Sequence, residues 1–176
     1  MEIYFKGEIG KRRWIKVKNN TITTLTELIE LLNKKAPKSL TIHIESLGGS
    51  TYEAVAIYFY LKSLSIPITT ICHKYVASAA TIIAQIGDVR MIDKDAKFLI
   101  HNCFINGTIH NLTLNSISYY KREIIFSNET IRLIYKRKSN LTKSQLQQVM
   151  EKNNGDGIYL DACTALSFKL VDKIIE

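Results

Sequence analysis

Ser78 lies in the run Lys74-Tyr75-Val76-Ala77-Ser78-Ala79-Ala80. Upstream stands Ser46-Leu47-Gly48-Gly49-Ser50, and downstream the apolar run Phe98-Leu99-Ile100 ends at His101. Serine becomes a strong nucleophile only when a base takes its proton. Histidine has the intrinsic pKa for that base. Acyl transfer also needs donors aimed at the oxyanion of the tetrahedral intermediate. The first N–H groups of a helix are unpaired, and the dipole there favours negative charge. The amide of Ala79 is therefore expected to be one donor, with Ser78 opening a small-residue helix. Glycine permits close approach of another backbone, so the amide of Gly48 is expected to be the second. Taken singly, each feature reads more readily as a helix cap, a turn or a satisfied strand-end histidine. In this order together they are the parts of a serine hydrolase.

These residues must be positioned by the elements around them. Ile3 to Ile9 alternates apolar and polar residues and reads as a strand, with Trp14-Ile15-Lys16-Val17 as its hairpin partner. Thr24-Leu25-Thr26-Glu27 is a capping box opening a helix that Pro37 ends. Leu40 to Ile44 is a strand stopping at the glycine turn, and a well-buried helix follows from Tyr52 to Leu64. Ile66 to Cys72, Val89 to Ile92 and Lys97 to Ile100 read as strands, and Ser78 to Ile86 as a buried helix. A long helical stretch runs from Leu112 to Lys138, then a capping box at Thr142 to Gln145, and a short helix begins after Asp161. Strand and helix alternate with buried runs, which predicts βαβ crossovers and a mainly parallel sheet covered on both faces.

A chain of 176 residues is read as a single domain spanning 1–176. Hydrophobic residues make up 46% and charged residues 23%, ordinary for a globular protein. No apolar run reaches bilayer length and the start shows no signal pattern, so no membrane partner and a cytoplasmic location are expected. The net charge of +8 comes from scattered lysines, the densest clusters being Lys11-Arg12-Arg13 and Lys136-Arg137-Lys138. Neither has interleaved aromatics, so no nucleic-acid partner is expected. Cys72, Cys103 and Cys163 share no metal-ligand spacing, which predicts reduced thiols, no metal and no cofactor. Sequons begin at Asn106, Asn111, Asn128 and Asn140 and are taken as chance matches without a secretion signal.

Across nearly the whole chain, Ile3 to Ile175, the sequence resembles the proteolytic subunits of Clp protease, the ClpP family. The family's Ser-Pro-Gly-Gly turn matches Ser46-Leu47-Gly48-Gly49. Its nucleophile segment matches Ala77-Ser78-Ala79-Ala80, and its Met-Ile-His segment matches Leu99-Ile100-His101. Its closing Tyr-Gly-Leu-Val-Asp resembles Phe168-Lys169-Leu170-Val171-Asp172. The resemblance implies the ClpP/crotonase-like α/β fold: repeated ββα/βαβ units, a mainly parallel sheet covered by helices, and a protruding handle helix between Asn102 and Lys138. It implies an endopeptidase with Ser78 as nucleophile, His101 as general base and polypeptide as substrate. Aligned without a gap, the family's third triad member falls on Gly157; a one-residue insertion places it on Asp156, the chosen partner of His101. Asp161 reads as a helix cap, and Asp172 lies in the terminal segment. The resemblance further implies a homo-oligomer, a heptameric ring or double ring enclosing the sites. The chain starts at its first strand, with no counterpart of the axial N-terminal loop, which weighs against docking to a Clp-type ATPase. In this it is similar to short phage-type ClpP-like proteases, including those that process capsid proteins. Ile105-Asn106-Gly107-Thr108 replaces the family's Gly-rich loop.

Four other readings stay open: a catalytically impaired ClpP-like subunit, a crotonase-type acyl-CoA enzyme, a Ser-Lys peptidase in which a lysine replaces His101, and a nucleic-acid binder resting on charge alone. Substrate identity does not follow from these residues.

Overall fold

The computed structural model describes residues 1–11, 20–105 and 112–176. The expected strand at Trp14 to Val17, the Arg12-Arg13 pair, and the Asn106 and Asn111 sequons lie outside them, as does most of the loop at Ile105 to Thr108. In chain order the elements are β1 (Glu2–Lys6), β2 (Thr21–Ile22), α1 (Leu25–Lys35), β3 (Leu40–Ser46), α2 (Thr51–Ser63), β4 (Ile68–Ala77) and α3 (Ala79–Ala84). Then follow β5 (Val89–Asp93), β6 (Lys97–Ile100), α4 (Leu114–Lys136), α5 (Lys143–Glu151), β7 (Ile158–Leu160), α6 (Ala162–Ser167) and β8 (Lys173–Ile175).

The caps forecast from the sequence are present. Thr24 and Glu27 close a reciprocal box at α1, and Thr142 and Gln145 do so at α5. Asp161 caps α6 by accepting from the Thr164 N–H at 2.7 Å. The strands run β2-β1-β3-β4-β5-β8, all parallel, with β6 branching from β4 and β7 antiparallel to β6. The fold is the expected α/β arrangement. No helix among the described residues is long and apolar enough to cross a membrane.

One face of the sheet carries the core. Ile3, Phe5, Ile42, Ile44, Cys72 and Ile92 are fully buried there with Leu28, Ile57 and Ile83. At about 25 cal/mol per Å² of apolar surface removed from water, such residues supply most of the folding drive. Packed at that end is a charge: Arg90 donates to both carboxylate oxygens of Asp172, at 3.0 and 2.6 Å, and to Gln85 Oε1 at 2.7 Å. Burial alone would raise the Asp172 carboxyl, but the bonds from Arg90 outweigh it and hold it below its usual range. The pair ties β5 to the chain end and to Gln85, which closes α3.

The second face differs from the sequence reading of a sheet covered on both sides. β3 alternates fully buried with half-buried residues, so Thr41, His43 and Glu45 lie on an open side. A polar row crosses four strands there. His73 Nδ1 donates to the Asp93 carboxylate at 2.8 Å, and the other side of the ring, His73 Nε2, shares a hydrogen bond of 2.9 Å with His43 Nδ1. Tyr4 stacks on His43, with ring centroids 4.6 Å apart. His43 Nε2 is buried with no hydrogen-bond partner among the described residues, 3.9 Å from Glu2. Desolvation, reinforced by His73 and Lys6 and opposed by Glu2 and Asp93, holds the His43 imidazole below its ordinary range. The unfolded chain therefore binds that proton more readily. Stability is expected to be full above about pH 6.5 and to fall as the pH drops through the folded value. Urea titrations from pH 5 to 8 should show this decline, and His43→Gln should flatten it; an equal decline in the variant would contradict the assignment.

Candidate active site

β4 delivers Ser78 and β6 delivers His101. The β4–β6 pairing places Ala77 opposite Leu99, and the Ser78 N–H donates to the Leu99 carbonyl at 2.9 Å. Ser78 is the N-cap of α3, with φ 55° and ψ −131°. Such a backbone costs a non-glycine residue about 1–3 kcal/mol and is found where surroundings over-determine it. Its hydroxyl makes no capping bond. Ser78 and His101 line one cleft of about 710 Å³, together with Leu47, Ala79, Tyr135, Asp156 and others.

The glycine turn lies against this corner. A Cβ on Gly48, at φ +105°, would stand 2.6 Å from Ser78 Cβ and 3.1 Å from the Ala79 nitrogen. Glycine here lets the turn reach the Ser78 backbone. The Ala79 N–H, at the first position of α3, has no intrahelical partner. The Gly48 N–H donates to Ser46 Oγ at 3.1 Å, while Ser46 Oγ donates to the Gly7 carbonyl at 2.5 Å.

His101 Nδ1 lies 2.6 Å from the Asn102 carbonyl oxygen. A carbonyl only accepts, so Nδ1 carries the proton and Nε2 of the neutral ring is left free as a base. The ring stacks on Phe104 at 5.6 Å. The segment beyond is pinned to α4, where Asn128 Oδ1 accepts from the Cys103 N–H at 2.7 Å. Burial raises the Cys103 thiol, whose polar neighbour is Thr51 at 3.4 Å.

The structure thus brings Ser78, Ala79, His101 and Asp156 to one cleft, with Gly48 against Ser78. Among the described residues no hydrogen bond joins Ser78 to His101, or His101 to Asp156. Asp161 and Asp172 are engaged elsewhere, as cap and as partner of Arg90. Sequence reading missed the Asn102 carbonyl, because a backbone atom leaves no signature. It also missed Thr81 and Tyr135, which bond each other beside Ser78; Thr81 sits three residues on, but nothing in the chain links it to Tyr135. No group of His, Cys, Asp and Glu side chains among the described residues has the geometry to hold a metal ion.

The family model described as Clp protease matches residues 8–176. The chain belongs to the Clp protease family. Among its curated relatives is the ATP-dependent Clp protease proteolytic subunit of Bdellovibrio bacteriovorus, 23% identical over 159 residues, covering 89% of this chain and 72% of the relative. The protein of the same description from Deinococcus radiodurans is 22% identical over 156 residues, covering 86% and 72%. A solved structure, a point mutant of ClpP1 from Listeria monocytogenes, superposes with a TM-score of 0.76 at 20% identity, covering 99% of this chain and 91% of that one.

Within this Clp protease family member, the position where a gapless family alignment puts an aspartate cannot hold one. Gly157 has φ +70°, and a Cβ there would lie 2.1 Å from the Ile100 carbonyl oxygen and 2.8 Å from His101 Cβ. The residue just before β7 lies too close to the end of β6 for a side chain there. Gly157→Asp is expected to destabilise the fold by at least about 2 kcal/mol. Urea denaturation measures this, and an unchanged midpoint would contradict the close approach.

Proposed function

We propose that this family member is a serine endopeptidase of the ClpP type, with Ser78 as nucleophile and His101 as general base. One observation carries the reading: the left-handed corner at Ser78 leaves an uncapped hydroxyl in the cleft that also holds the imidazole. His101 Nε2 takes the Ser78 proton as Oγ attacks the scissile carbonyl carbon. The resulting oxyanion accepts from the Ala79 N–H, and from the Gly48 N–H as it turns from Ser46 Oγ. Imidazolium Nε2 returns its proton to the leaving amine. Water then repeats the sequence and frees the acid product.

On this reading the Asn102 carbonyl fixes the tautomer, while Asp156 lines the cleft without a bond to the imidazole. The substrate is unfolded polypeptide or one dedicated protein. The chain works as a homo-oligomer, a ring or double ring enclosing the clefts. Favouring self-association, α4 exposes Leu114, Ile117, Phe126 and Leu133. A second reading, an impaired subunit, draws on the missing His101–Asp156 bond, and one experiment separates the two.

Digestion of an unfolded protein, followed by mass spectrometry of the fragments, should show cleavage by the wild type. Ser78→Ala should lower the rate by on the order of 10⁴ or more. Equal cleavage by both would end the Ser78 assignment, and none by either would favour the impaired subunit. In the same assay Asp156→Asn should cost well under the roughly 10⁴-fold lost where a carboxylate itself holds the imidazole. A loss on that scale would return the orienting role to Asp156.

A further inference from the structure

The left-handed corner at Ser78 needs holding from both sides. On one side is β6, through the Leu99 carbonyl. On the other is Thr81, whose backbone N–H donates to the Ser78 carbonyl at 2.9 Å and whose hydroxyl does so at 2.5 Å. A threonine hydroxyl has one hydrogen. With that hydrogen on the carbonyl, Thr81 Oγ1 accepts from the Tyr135 hydroxyl, 2.6 Å away. Tyr135 reaches in from α4 and is 1% exposed, while Thr81 is fully buried. Burial, only partly offset by Thr81, raises the Tyr135 phenol far above its usual range, so it remains a donor.

We propose that Tyr135 and Thr81 are positioning residues for Ser78. Their hydroxyls form a chain, Tyr135 O–H to Thr81 O–H to Ser78 C=O, that holds this carbonyl into α3 and leaves the Ala79 N–H facing the cleft. The chain also ties the corner to α4, whose Ile124, Ser127 and Ile131 form one wall of the same cleft. A shift of α4 is thereby felt at the nucleophile's backbone. The catalytic part of the proposal rests on Ser78 being the nucleophile; the brace itself does not.

The experiment has two readouts. The first is the rate of labelling by a fluorophosphonate, with peptide kcat and KM beside it. Tyr135→Phe, which removes only the hydroxyl, should slow labelling about three- to tenfold, the scale of one neutral hydrogen bond, in kcat rather than KM. Thr81→Ser should keep the wild-type rate, and Thr81→Val, which removes both bonds, should lose at least as much as Tyr135→Phe. The double variant should be no slower than Thr81→Val, because that change already breaks the whole chain. The second readout needs no activity: amide hydrogen exchange at 79–81 should rise in Tyr135→Phe while the sheet stays unchanged. Wild-type labelling speed in Tyr135→Phe would overturn the catalytic part. Unchanged exchange at 79–81, or an equal rise across the sheet, would overturn the brace. If the wild type takes no label, the nucleophile reading fails, and the exchange result alone decides the brace.

Discussion

The bond from the Ser78 N–H to the Leu99 carbonyl is the constraint on which the site depends. It carries the β4–β6 pairing one residue past the end of β4. Ser78 and His101 then leave neighbouring parallel strands at the same edge, although 22 residues separate them in the chain. Strand ends at the carboxyl edge of a parallel sheet are where α/β proteins gather reacting groups. The left-handed turn at Ser78 stands at this bond, where the chain passes from β4 into α3, and its hydroxyl makes no capping bond.

Two glycines let other segments close on this corner. Gly48 brings the first turn against Ser78, and Gly157 lets the chain entering β7 lie against Ile100 and His101 at the end of β6. Glycine is needed at both for contact as much as for φ, since a Cβ at either would overlap its neighbour. The neighbouring carboxylate, Asp156, lines the cleft without bonding the imidazole. The imidazole instead finds its orienting acceptor in the Asn102 carbonyl, a neighbour that any residue type could supply.

This division explains what was legible in the sequence. Caps, turns and the alternation of strand and helix are local, and Thr24, Thr142, Asp161 and the Gly48 turn were read where they stand. That Ser78 and His101 share a cleft was legible because motif order links them. β7 and β8 were not, since Ile158–Leu160 and Lys173–Ile175 are too short to show a period. The Arg90–Asp172 pair and the Tyr135–Thr81 bond join residues far apart, and composition holds no trace of them. The half-open second face was present in the alternation of Leu40–Ser46, but it was outweighed by the general apolarity of the strands. Its row of Tyr4, His43, His73 and Asp93 crosses strands that only the sheet order makes neighbours.

The claim at the centre is that the Ser78 corner aims a hydroxyl and a backbone amide at one reacting carbonyl. A crystal structure of the fluorophosphonate adduct tests it most directly. The account predicts phosphorus bonded to Ser78 Oγ, its oxygen within hydrogen-bond reach of the Ala79 and Gly48 amides, and His101 Nε2 facing Oγ. An adduct on another residue, or one whose oxygen points to solvent away from both amides, would contradict it.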